Sequence, residues 1–298
     1  MGDPEMKILI VGMGRAGQVH RKICEDLGHT VCGVDANPDL CVGPDYETFR
    51  PDRAIIATPM NGHLDWAKRM VEAGVGILVE KPLGLVGDMD AWRQLLIQAR
   101  RKRVPVWCGY QLRFHTAYRD LERWICAPAR RALSVDLEYD YHSATGHIVY
   151  EASHEIDLLA HWFGVPDYVV ADLGGQEEAG GSGGVCQEAM LLFSWDNGRI
   201  MASVRFGSHS TAYRRFAEAR ALDGVMRVDV RKRESGDHTV TRWGLDATGR
   251  EEQWSYGDTV LDARRAMIKA FLEARQSMSG LLLTMETLQM CLGAGSHT

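Results

Sequence analysis

No apolar run in this 298-residue chain approaches the ~18 residues needed to cross a bilayer, and its first residues lack the charged-then-apolar layout of a secretory leader. These absences predict a cytoplasmic protein with no membrane partner. The chain also has no excess of positive charge. Its formal net charge is −6 with the two signs interspersed, and the basic run Arg100-Arg101-Lys102-Arg103 reads as the polar end of a helix before a strand beginning at Val104. No nucleic-acid partner is expected. Nor do the cysteines form a pattern. The seven, at 24, 32, 41, 108, 126, 186 and 291, are odd in number, scattered and never arranged as CxxC, which argues against a disulfide framework and a structural zinc site. Cys24, Cys32 and Cys108 fall inside apolar segments, as small core residues do.

What is present is an ordinary globular composition, 45% hydrophobic and 25% charged, in a length that accommodates about two domains. The most informative stretch runs from Met6 to Asp35. An apolar run, KILIVG, enters Gly12-Met13-Gly14-Arg15-Ala16-Gly17, and a second run, TVCGV, ends on Asp35. Each glycine has a physical task in a dinucleotide grip. Gly12 permits a tight strand-to-helix turn, Gly14 lets backbone approach a pyrophosphate, and Gly17 lets helix and strand pack closely. Phosphates would sit on the helix N-terminus, near Arg15 and Ala16, where N–H groups and the macrodipole favour negative charge. Asp35 follows Gly17 by 18 residues, close to the spacing of about 20 for an acid that bonds the adenosine ribose. A carboxylate there repels a 2′-phosphate, so NAD is expected, with NADP possible if Arg15 or another base compensates.

Through the first third, short β-branched runs alternate with helical patterns. ILIVG, a helix over 14–27, TVCGV, a strand over 53–57, a helix over 62–73, ILVEK, a helix over 89–100 and a strand over 104–109 predict a doubly wound parallel sheet. This is a Rossmann domain over residues 1–112. Beyond it the chain changes to alternating strands at 131–141, 189–195, 200–207, 216–221, 225–230 and 238–243, with hairpin turns at 196–198 and 223–224. An α/β domain with a large, mainly antiparallel open sheet is expected over 113–298. Helices are expected over Ser153–Phe163, with Ser153 as N-cap, and over Thr259–Ser277; the glycine-rich 173–184 reads as a loop.

A second chemical segment contains ATP-x-x-x-H, from Ala57 to His63, and Glu80-Lys81-Pro82. Further on stand GYQLRF at 109–114, SHEIDLLAHWFG at 153–164 and a closing DARRAMIKAFLEA. With GxGxxGxxH from Gly12 to His20, these make the chain resemble, along almost its whole length, the Gfo/Idh/MocA family of glucose-fructose oxidoreductase, inositol dehydrogenase and rhizopine-catabolism proteins. The resemblance implies an NAD(P)-dependent oxidoreductase for a sugar, nucleotide-sugar or cyclitol, with no metal and with a homodimer or homotetramer contact on the open sheet. It adds Thr58, Pro59, His63, Glu80 and Lys81 to the cofactor site, and makes Lys81, His154 and Asp157 the catalytic group.

Oxidising a secondary alcohol requires a base for the hydroxyl proton and a positive donor for the developing alkoxide. His154 and Lys81 suit these tasks. Asp157, at i+3 from His154, can orient the imidazole or contact a substrate hydroxyl. His161 continues the same face, so zinc ligation by His147, His154 and His161 is conceivable; the adjacent Trp162-Phe163 instead reads as a buried stripe. Departures from the family pattern concern substrate binding. Tyr150 and Glu151 occupy the positions four and three before His154 where relatives carry an acid, and Gly146-His147 stands where they often have Gly-Gly. Tyr150, Glu151, His147 and Arg113 are therefore the candidate substrate contacts. Two further classes share these residues: a redox-neutral epimerase, lyase or glycosidase that recycles its NAD, and a non-catalytic nicotinamide-sensing regulator.

Overall fold

A computed structural model describes residues 4–44, 46–127, 133–140, 148–174, 188–207, 213–232, 238–246, 251–257 and 259–295. The chain divides into two compact units, 1–110 with 264–285, and 111–263 with 286–298. The division is thus not the single cut at 112/113 expected from the change in strand pattern, because the segment from Arg264 to Met285 returns to the first unit.

The first unit alternates strand and helix: β1 (Lys7–Val11), α1 (Arg15–Asp26), β2 (Thr30–Val34), the short α2 (Tyr46–Phe49), β3 (Arg53–Ile56), α3 (His63–Glu72), β4 (Gly76–Val79), α4 (Met89–Lys102) and β5 (Val106–Cys108). All five strands are parallel, in the order β2-β1-β3-β4-β5. Ile8, Leu9, Ile10, Ile55, Ile56, Ile77 and Leu78 are fully buried, as parallel strands covered on both faces require. The last strand expected, 104–109, is shorter because Val104 and Pro105 form the approach to it. Cys24, Cys32 and Cys108 lie in this core, and burial pushes the Cys24 thiol up to about 12.

The second unit contains α5 (Thr116–Ile125), β6 (Leu133–Asp140), α6 (Ile148–Glu151), α7 (Ser153–Phe163), β7 (Tyr168–Gly174), β8 (Glu188–Trp195), β9 (Ile200–Gly207), β10 (Arg214–Ala221), β11 (Gly224–Lys232), β12 (His238–Asp246) and β13 (Glu251–Tyr256). Its sheet runs β13-β12-β11-β10-β6-β9-β8-β7, antiparallel throughout except for the β6–β9 pair. Alternate residues such as Val135, Leu137, Leu191, Phe193, Val204 and Val228 are buried on the face that α5 and α7 cover. The β8–β9 turn uses positive φ at Asp196, Asn197 and Gly198 as expected. In the β10–β11 hairpin, Ala221 pairs with Gly224, so the two loop residues are Leu222 and Asp223 rather than Asp223-Gly224.

Two helices close the chain, α8 (Val260–Glu273) and α9 (Leu281–Gly295). The helix expected to reach Ser277 stops earlier. Of the 173–184 loop, Leu173 and Gly174 end β7 and the rest lies outside the described residues.

Candidate active site

At the carboxyl end of the first sheet, β1 turns at Gly12 with φ +89°. A Cβ on Gly12 would stand 2.5 Å from the Ala57 carbonyl oxygen, and one on Gly17 would stand 1.9 Å from the Gly12 carbonyl oxygen. Neither position can hold a side chain. Gly14 is different: an added Cβ meets nothing within 4 Å. Gly14 and Arg15 are exposed, Ala16 is half-buried, and the first turn of α1 contains no acid. The helix end is thus open to an anion and its backbone is shaped for close approach, so these residues fit a dinucleotide pyrophosphate.

Asp35 lies just past β2. Its Oδ2 accepts from Met13 N–H at 2.6 Å and its Oδ1 from Asn37 N–H at 2.9 Å. These backbone donors, Asn37 foremost, hold the carboxyl below its ordinary range. The acid that would meet the ribose thereby also fixes the glycine turn.

Lys81 follows β4 at the same sheet edge and is half-buried; its peptide bond to Pro82 is cis. The neighbouring Glu80 faces inward, not toward a ligand. Its Oε1 lies 2.6 Å from Nε2 of the fully buried His20, and its Oε2 accepts from Lys81 N–H at 3.1 Å. Burial would raise the Glu80 carboxyl, but the His20 hydrogen bond and charge, the Arg264 charge and the Lys81 N–H together hold it well below the usual carboxylate range. His20 is a residue whose role sequence reasoning missed. The signal was its place one turn after Gly17, on the helix face that packs against the sheet.

His63 likewise serves the backbone. It is buried, with Nε2 3.0 Å from the Thr58 carbonyl oxygen and Nδ1 3.2 Å from those of both Pro82 and Leu83. The imidazole stands between the Thr58-Pro59 turn and the segment after Lys81; burial lowers its pKa, and the neutral ring has one N–H, which donates to one of the two segments. The expected cofactor contact by His63 is corrected accordingly: its ring nitrogens face carbonyl groups inside the protein.

In the second unit, α7 begins at Ser153 with Ala152, not Ser153, at the N-cap position. Ser153, His154, Glu155 and Asp157 are all buried. Asp157 is held by Arg113 in a two-pronged pair, Nε to Oδ2 at 2.7 Å and Nη2 to Oδ1 at 2.5 Å. Arg113, expected to anchor substrate, and Asp157, expected to orient His154 or meet a hydroxyl, bind each other because two buried charges are stable only when paired. On the other side of α7, Glu155 pairs with the buried Arg215 of β10, whose Nε donates to Tyr213 OH at 2.7 Å and whose guanidinium lies 3.7 Å from the Tyr139 ring centroid. Burial opposes the Arg215 charge, and Glu155 and the tyrosines overcome it. His161 lies 3.0 Å from Glu122 of α5. Tyr150 and Glu151 are half-buried in α6, one turn before His154, and His147 lies outside the described residues.

Residues 39–110 match the family described as an oxidoreductase family with an NAD-binding Rossmann fold, GFO_IDH_MocA. The chain is thus similar to the Gfo/Idh/MocA family over this part of its first unit. The myo-inositol dehydrogenase Hyg17 of Streptomyces leeuwenhoekii is 32% identical over 132 residues, which are 39% of this chain and 40% of that relative. The matched stretch thus spans well under half of that protein. Among solved structures, the UDP-N-acetylglucosamine 3-dehydrogenase GnnA from Acidithiobacillus ferrooxidans is 19% identical with a TM-score of 0.77, covering 99% of this chain and 98% of that one. GenD2 from gentamicin A biosynthesis, in complex with NAD, is 16% identical with a TM-score of 0.77, covering 99% and 95%. Both share the fold of this chain.

Proposed function

We propose that this protein is a Gfo/Idh/MocA family member, an NAD-dependent oxidoreductase that interconverts a secondary alcohol and a ketone on a sugar, nucleotide-sugar or cyclitol. The observation that carries the reading is the convergence at one sheet edge of an open glycine turn, the Asp35 carboxylate and Lys81. The substrate class is supported by the names of the relatives, which act on an inositol and on a sugar nucleotide. The bound nicotinamide supplies hydride transfer. Asp35, kept anionic by its two backbone donors, favours ribose hydroxyls over a 2′-phosphate. The Lys81 ammonium stabilises the alkoxide, and the His154 imidazole takes the hydroxyl proton in oxidation and returns it in reduction. Arg113 and Asp157 are positioning residues that hold α7, and with it His154. Tyr150, Glu151 and His147 remain the groups proposed to bind substrate hydroxyls. The same proposal places the protein in the cytoplasm as a homodimer or homotetramer.

The test is to follow reduced-nicotinamide absorbance with NAD and a panel of polyols, sugars and sugar nucleotides, in the wild type and in Lys81→Ala. Loss of an ammonium beside an alkoxide costs about 10²- to 10³-fold in turnover, with NAD affinity little changed. Equal turnover in the variant overturns the assignment of Lys81, and failure to bind any dinucleotide overturns the whole reading.

A further inference from the structure

A cavity of about 810 Å³ lies in the first unit between α4 and the connection from α8 to α9. Its volume is that of a small-molecule site, and it is lined by residues from 96–104 and 275–283, none of which belongs to the dinucleotide grip. The lining separates by chemistry. Leu96, Val104, Met278, Leu281 and Leu282 give an aliphatic surface, while Arg100 and Arg103 approach from one wall and Arg275 from the other. No acidic or aromatic side chain lines the cavity among the described residues.

The basic run at the end of α4 invites a simpler explanation, since cations suit a helix C-terminus. The run divides, however. Lys102 Nζ donates to the Glu72 carbonyl at 2.9 Å, whereas Arg100 and Arg103 line the cavity with Arg275. The amino end of the 15-residue α9, at Leu281, adds the positive end of a helix dipole. The walls are firmly built. Met278 N–H donates to the Val106 carbonyl at 3.0 Å, and Val106 N–H donates to Ser277 Oγ at 3.0 Å.

We propose that this cavity binds a small aliphatic-chain anion, with the chain on the leucine and methionine surface and a carboxylate or phosphate head among Arg100, Arg103 and Arg275. The absence of a ring among the lining residues selects an alkyl chain over a nucleobase, which would need a stacking surface. Charge sets the head group, because three guanidiniums without a carboxylate are complementary only to an anion.

The experiment is calorimetric titration of the full chain with dodecyl phosphate and with dodecanoate, both below their micellar concentrations. Dodecyltrimethylammonium and inorganic phosphate serve as comparisons. Saturable one-to-one binding of a dodecyl anion, absent for the cation, supports the site. Tighter binding of the phosphate or of the carboxylate then identifies the head group. Arg100→Gln and Arg275→Gln should each weaken binding about tenfold, and Leu282→Asp should abolish it, with NAD affinity unchanged in all three. Because both arginines are exposed, these variants should fold as the wild type does, which thermal melting checks. Failure of both anions to saturate, equal binding of the cation, binding of inorganic phosphate alone, wild-type affinity in the arginine variants, or competition by NAD would each overturn the proposal.

Discussion

At the scale of single residues, His63 and Asp35 show how side chains expected to touch a ligand also shape the backbone that would hold it. His63 faces three carbonyl oxygens from two loops, so His63→Ala removes a buried hydrogen bond at a cost of roughly 1–3 kcal/mol. Its pKa is depressed in the folded state. The unfolded chain therefore binds more protons, and the stabilisation is present above the ordinary value of 6.5 and is lost as pH falls below it. Urea unfolding between pH 5 and 8 should show wild-type stability declining toward the acid side, with a flatter profile in His63→Ala; parallel profiles would refute the linkage. Asp35 makes a different prediction. Replacing it by serine removes the negative charge that disfavours a 2′-phosphate, and the NAD-to-NADP affinity ratio should shift toward NADP by about tenfold or more. Fluorescence titration with both dinucleotides measures this, and an unchanged ratio would leave selectivity to another group.

At the scale of elements, α7 is gripped from two sides, by Arg113 through Asp157 and by Arg215 through Glu155. Removing one member of a buried pair leaves an uncompensated charge and costs about 3–5 kcal/mol, whereas replacing both with apolar residues costs much less. Arg113→Met and Asp157→Leu should therefore each destabilise strongly in urea, and the double variant should be more stable than either. Additive losses would show that the two do not act as a pair. The same helix marks how far the sequence was legible. SHEIDLLAHWFG identified a helix and its histidine, and the alternation of β-branched runs with glycine turns identified the parallel sheet. Partner choice was not legible, because Arg113 and Asp157 stand 44 residues apart and Glu155 and Arg215 stand 60 apart; tertiary register decides such pairs. The helix α9 was missed for another reason. LLLTMETLQMCLGAG is apolar around most of its circumference, so it lacks the polar stripe by which surface helices are recognised. The strands β7 and β13 were not expected either, and β7 ends inside the 173–184 segment that was read as a loop.

At the scale of the whole molecule, the open face of the second sheet is divided between charge and hydrocarbon. In its middle strands Asp136, Glu218, Arg220 and Arg227 form ion pairs among themselves. Toward the β7 edge, Tyr168, Val170, Met190, Leu192 and Met201 are exposed, Tyr168 by 72% and Val170 by 56%. The register makes them one patch: Val170 stands opposite Leu192, and Ser194 stands between Tyr168 and Met201. Contiguous apolar surface of this kind marks an interaction site, and the alternation that buries Leu191 and Phe193 beneath the helices obliges Met190 and Leu192 to face outward. A second copy of the chain is the occupant proposed with the function. A carboxylate in the centre of such a contact would have to be buried without a partner, at a cost of several kcal/mol. Val170→Asp combined with Leu192→Asp should therefore convert the proposed homo-oligomer to a 33.3 kDa monomer in sedimentation velocity, while leaving the sheet folded because both positions face solvent in the single chain. A wild-type sedimentation profile in this double variant would place any oligomer contact elsewhere. A wild type that already sediments as a monomer would instead overturn the homo-oligomer.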